Sequence, residues 1–74
     1  MVYRITFERK SDPSIPGRSL ASLIWVEAKD YPAMDKVQWL LSELHGDDVE
    51  KSTVKITEDR NVKKEEWEGR IYNL

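Results

Sequence analysis

The sequence predicts an α+β fold: a small antiparallel sheet of three strands, with a fourth if the tail docks, and one helix packed on one face, in the order ββαβ(β). Three observations lead there. The N-terminus alternates apolar and polar residues with a period of two, a central segment bounded by a proline and a glycine has helical periodicity, and a second alternating run follows it.

Val2 to Glu8 places Tyr3, Ile5 and Phe7 on one side and Val2, Arg4, Thr6 and Glu8 on the other, the period of a strand with one buried face, over about 2–9. "KSDPSIPGR", Lys10 to Arg18, then carries two prolines and a glycine among small polar residues, so neither helix nor ladder continues through it. "LASLIWVEA" resumes strand character over about 20–28, with Leu20, Ile24, Val26 and Ala28 on one face and Ala21, Leu23 and Trp25 on the other. A strand apolar on both faces is usually central, with something over each.

Asp30 suits a helix N-cap and Pro32 the first turn, where a missing amide costs nothing, so a helix is expected over about 31–45, with Gly46 in the left-handed C′ conformation. At about 100° per residue, Ala33, Met34, Val37, Leu40, Leu41 and Leu44 form the core stripe. Trp39 lies nearly opposite, flanked by Asp35, Lys36, Ser42 and Glu43. After an acidic turn, "STVKITE" predicts a third strand over about 52–58, with Val54 and Ile56 inward, pairing with the first or second strand. In the tail, 59–74, Val62 to Glu68 is polar with good helix formers, whereas Trp67, Ile71 and Tyr72 are apolar enough to dock; the segment reads as a polar connection followed by a short terminal strand or docked tail that shields Leu23 and Trp25.

A chain of 74 residues makes one domain at most and buries only roughly 60% of its unfolded surface. There are no cysteines, which excludes disulfides, thiolate metal sites and cysteine nucleophiles and fits a reducing, cytoplasmic setting. Twelve basic against fourteen acidic residues lack the one-signed field of a dedicated nucleic-acid or membrane-surface binder. No apolar run approaches the ~18 residues of a membrane span. The start "MVYRITFERK" lacks the basic and apolar regions of a signal peptide, so the protein is expected to stay where it is made.

The chemistry-bearing residues do not assemble into a catalytic signature, and an enzyme is not expected. His45, Asp47 and Asp48 form the one local ligand cluster, read as a helix end meeting its dipole beside a solvated acidic turn, so no metal is assigned. His45 is the sole histidine, Ser42 beside it has no oxyanion hole, the carboxylate pairs are sequence neighbours, and Gly17, Gly46 and Gly69 are isolated. No cofactor is implied.

Two binding readings remain. A sheet face carrying Arg4, Trp25 and Lys55 has the ingredients of a single-stranded nucleic-acid platform, although Glu8 and Glu27 share that face. An exposed Trp39 rimmed by Asp35 and Glu43 has the anatomy of a protein-binding anchor, with Arg9, Lys10 and Arg18 on the long loop as a second, charge-steered contact. Against the anchor stands a tail folded over Trp39, or a helical phase displaced by one residue. Homodimerisation through the face holding Leu23 and Trp25 is a third possibility, making the chain a monomer or weak homodimer.

"LIWVEAKDYPAMDKVQWLL", a strand running through a short cap into a helix, followed by the strand "TVKIT", resembles in layout the small phage-encoded host-takeover proteins of the ββαβ RNA-polymerase-inhibitor type found in T7-like phages. The similarity covers Val2 to Thr57 as an arrangement of elements, while Trp39, the longer first loop and the tail beyond Glu58 depart from it. The resemblance implies a non-enzymatic protein that blocks or redirects a larger host machine, such as RNA polymerase or a defence complex, by surface contact.

Overall fold

The computed structural model describes residues 1–61 and 71–74. Its elements are β1 (Val2–Arg9), β2 (Leu20–Glu27), α1 (Met34–His45), β3 (Val49–Glu58) and β4 (Ile71–Asn73), an α+β fold with one four-stranded sheet in the order β3-β1-β2-β4. The expected polar connection, with Trp67, lies outside the described residues.

β1 pairs antiparallel with β2 and with β3, whereas β4 runs parallel to β2, so the sheet is mixed, not antiparallel throughout. The twelve residues between Glu58 and Ile71 match the length that a parallel return needs.

Alternation in β1 sets the core. Tyr3, Ile5 and Phe7 are buried on one face together with Val26 and Ala28, and α1 covers them with Val37, Leu40 and Leu41. Val49 and Val54 close the β3 side, and Ile24, Leu44, Ile56 and Leu74 pack around the margin.

β3 begins three residues earlier than the periodicity of "STVKITE" indicates, because it contains a wide irregularity. Thr6 lies opposite Lys55, but Glu8 lies opposite Glu50, so five residues of β3 spend the length of two steps of β1. Val49 and Val54 are an odd number of residues apart and would face opposite ways in a regular strand; the irregularity turns both inward. A side chain closes the gap in the ladder. The Glu8 N–H donates to Thr53 Oγ1 (2.9 Å), and the Thr53 hydroxyl donates to the Glu50 carbonyl (2.6 Å), standing where a direct backbone bond would otherwise run.

The helix starts at Met34, not near Tyr31, and Asp30 is not its cap. Ala33 occupies the N-cap with extended backbone (φ −69°, ψ 142°) and no side-chain cap bond. Pro32 disfavours helical backbone at Tyr31, and Tyr31 is itself held elsewhere: its hydroxyl donates to the Ile56 carbonyl (3.0 Å) and its ring meets Tyr3 edge-on at 5.6 Å. Pro32 is buried ahead of the helix, and the late start leaves Ala33 and Met34 exposed, outside the core stripe to which their spacing assigned them. At the other end Gly46 has the expected positive φ of 61° and donates its N–H to Ser42 O (2.7 Å). Its ψ of −132° lies outside the left-handed helical well, in backbone space open essentially to glycine.

Among the described residues, no helix is long and apolar enough to cross a membrane.

Candidate functional site

Trp39 sits at the middle of α1 and is 60% exposed. Val37, Leu40 and Leu41 pull the helix onto the sheet, and at 3.6 residues per turn that burial swings position 39 to the far side. Asp35 and Glu43, one turn before and after it, are exposed on the same surface, as are Lys36 and Ser42. An indole with carboxylates at both ends along the helix is the result.

Beside this surface runs a half-open crevice of about 630 Å³ between the second half of α1 and the start of β3. Gln38 and Ser42 line it from the helix, Glu50 and Lys51 from the strand, and Lys10 from the long loop. Ser42 therefore belongs both to the rim of Trp39 and to the crevice. This is how the structure brings the loop near the helix.

The three loop cations differ in their surroundings. Arg9 is half-buried and engaged by Asp48, its Nε donating to Oδ2 at 3.0 Å, while the Ser11 N–H and hydroxyl both donate to Asp48 Oδ1 at 3.0 Å. Burial pushes the Asp48 carboxyl up, but the Ser11 and Arg9 hydrogen bonds outweigh it and hold the group below its ordinary value. Asp48 thus ties the loop to the turn after the helix, a role that reading Asp47 and Asp48 as a solvated pair missed. No sequence spacing signals it, because its donors lie some forty positions away. Lys10 and Arg18 are exposed. Between them the loop is braced by Ser14 N–H donating to Asp12 Oδ1 and by Asp12 N–H donating to Arg18 O.

His45, at the helix end, is half-buried with its ring 5.5 Å from Phe7. Burial and then the nearby Arg9 charge lower its pKa, with Asp48 opposing. The neutral ring is favoured there, so the favourable meeting of a charged His with the helix dipole is not what dominates.

The second group of candidate residues converges on the outer sheet face, the one without the helix. Arg4 lies directly opposite Trp25, and Lys55 lies opposite Thr6, one row along. Trp25 is half-buried: its indole N–H reaches Asp59 Oδ2 at 3.4 Å, and Ile71 of β4 sits beside it in register. Part of the tail does border Trp25 as expected, whereas Leu23, two residues before it, remains 44% exposed. Compared with models of protein families, with curated proteins and with solved structures, the chain shows no match.

Proposed function

We propose that this chain is a small non-enzymatic interaction protein that binds a larger host protein machine, such as RNA polymerase or a defence complex, and modulates or inhibits it by occlusion. The exposure of Trp39 at the centre of the helix carries this reading. Tryptophan is the residue most enriched at interface hot spots, and charges around a central aromatic form the polar ring that excludes water once a partner closes over it. Asp35 and Glu43 supply that ring and favour a partner pocket with basic margins, while Lys10 beside the crevice and Arg18 on the same loop offer a second contact of opposite sign. The resemblance of the Val2 to Thr57 arrangement to phage host-takeover proteins is the support for a phage-encoded origin, and the cysteine-free composition supports action in a reducing cytoplasm.

The test is capture from host lysate with wild type and Trp39→Ala side by side, followed by titration of each recovered partner. A hot-spot tryptophan is worth about 2 kcal/mol or more, a roughly 30-fold loss of affinity on truncation. Recovery of the same partners in equal amounts by both proteins would remove Trp39 from the interface.

The cross-strand pairing of Arg4 with Trp25, with Lys55 nearby, favours single-stranded nucleic-acid binding as the second reading. Glu8, Glu27 and Asp59 work against phosphates on the same side. Strongly salt-dependent quenching of tryptophan fluorescence by an oligonucleotide is its signature, and no affinity at low salt eliminates it.

A further inference from the structure

Among the described residues β3 forms one edge of the sheet, with β1 on its inner side. An edge strand turns the N–H and C=O of every second residue away from the sheet, a template on which another strand can pair. The ladder fixes which residues do so. The Asp59 N–H donates to the Val2 carbonyl at 2.9 Å, so these two residues turn their backbone groups toward each other. Opposed residues in an antiparallel pair alternate between bonded and non-bonded. Arg4 with Thr57 and Thr6 with Lys55 are therefore bonded, while Tyr3 with Glu58 and Ile5 with Ile56 are not. Glu58 and Ile56 turn their N–H and C=O to the outside, and Val54 does the same one step further along.

Two features obstruct this edge. The wide irregularity ahead of Lys55 breaks the first half of β3. In the second half the Tyr31 hydroxyl donates to the outward carbonyl of Ile56 at 3.0 Å, from a segment 25 positions away. Its ring stands edge-on to Tyr3 at 5.6 Å and is 63% exposed. A buried tyrosine needs a protein partner for its hydroxyl, but one this exposed can bond to water, so the contact serves the strand more than the side chain. Beyond the strand, Asp59 turns its carboxylate to the Trp25 indole N–H on the outer face, away from this edge.

We infer that Tyr31 is a latch that closes the edge of β3 against strand addition by a second copy of the chain. Val54 to Glu58 is self-complementary in antiparallel register about Ile56. In that register Ile56 faces Ile56 of the second copy, Val54 faces Glu58, and Lys55 faces Thr57, so no like charges stand opposite one another. The centre of the pairing is a bonded pair that uses both Ile56 carbonyls, the groups that the two Tyr31 hydroxyls hold. Each hydroxyl also stands where the incoming strand would lie. The latch uses no residue of the Trp39 surface, so it stands or falls separately from the host-protein reading.

Sedimentation equilibrium and amide hydrogen exchange of the whole chain, from about 10 µM to about 1 mM, test the latch. In wild type the Lys55 and Thr57 amides are expected to be protected, and those of Ile56 and Glu58 to exchange freely at every concentration. Tyr31→Ala is expected to raise the association constant about tenfold or more, because each copy regains a backbone acceptor. Its Ile56 and Glu58 amides should then slow as concentration rises. Adding Glu58→Pro removes an outward N–H without touching the bonds to β1, and is expected to return Tyr31→Ala to monomer. Circular dichroism checks that the variants are folded, and Tyr31→Phe, which keeps the ring and removes only the hydroxyl, replaces Tyr31→Ala if that variant does not fold. A folded Tyr31 variant that stays monomeric overturns the inference, as does a Glu58→Pro double variant that still associates. Slow exchange at Ile56 and Glu58 in wild type also overturns it: in the monomer it means that the edge is already paired within one chain, and on association that the latch does not hold.

Discussion

β1 and β2 lie side by side in the middle of the sheet, share one register, and treat their two faces differently. β1 buries Tyr3, Ile5 and Phe7 and turns Arg4 and Glu8 to the outside, the division that a single covering helix demands. β2 buries Val26 but turns Leu23 and Trp25 to the outside, beyond the reach of that helix. A strand's inward pattern is thus decided by the layer above it, whereas on the outward side of β2, among the described residues, Leu23 stays 44% exposed and Trp25 is bordered by Asp59 and Ile71.

The sharpest way to test that contrast is to remove matched side chains from the two faces. Ile5→Ala, at a position with no exposure, is expected to cost about 2–5 kcal/mol in urea unfolding. Thr53→Val comes next. It removes the hydroxyl that relays Glu8 N–H to Glu50 C=O at the solvent-exposed irregularity of β3, and is expected to cost about 1 kcal/mol and to speed hydrogen exchange at the Glu8 amide.

The third effect is a pH trend on the inner side of the fold. His45 titrates lower in the folded chain than its ordinary 6.5, because of burial first and the Arg9 charge second. The unfolded chain therefore binds a proton before the folded one, and stability declines as pH falls through 6.5 toward the folded value. The Asp48 carboxyl, held low by Ser11 and Arg9 against burial, contributes stability that is present above its ordinary 3.8 and lost as pH falls through the folded value. Urea midpoints measured from pH 8 to pH 3 should show both declines. His45→Gln should remove the upper one and Asp48→Asn the lower.

The smallest effects belong to the outside. Leu23→Ala and Trp39→Ala are expected to change the stability of dilute protein by no more than about 1 kcal/mol, since Trp39 is 60% and Leu23 44% exposed. A Leu23→Ala cost as large as that of Ile5→Ala would break the comparison, because it would mean that the outer face is already covered within one chain.

Periodicity made much of this legible. The alternation in β1, the stripe of Val37, Leu40 and Leu41 and the outward position of Trp39 all follow from the local repeat of strand or helix, which a reader of residues can count. The start of β3 was not legible, because an irregular ladder breaks the period on which such counting depends. Nor was the late start of the helix, where Asp30 and Pro32 read as a capped first turn but the Tyr31 hydroxyl on Ile56 keeps the chain extended. Arg9 and Asp48 read as separate surface charges, although they lie 3.0 Å apart.

The sequence by itself determined the element types, the buried face of β1 and the face on which Trp39 stands, because each depends on side chains a few positions apart along one repeating backbone. Only the tertiary structure decided that β4 runs parallel beside β2, that Val49 and Val54 share a face, that Asp48 clasps the long loop, and that Arg4, Glu8, Leu23 and Trp25 form one surface. Those arrangements join residues from about twenty to nearly fifty positions apart, or turn on a local break in register. They are set by which strands pair and by how much chain must be accommodated between the pairings, which local periodicity does not encode.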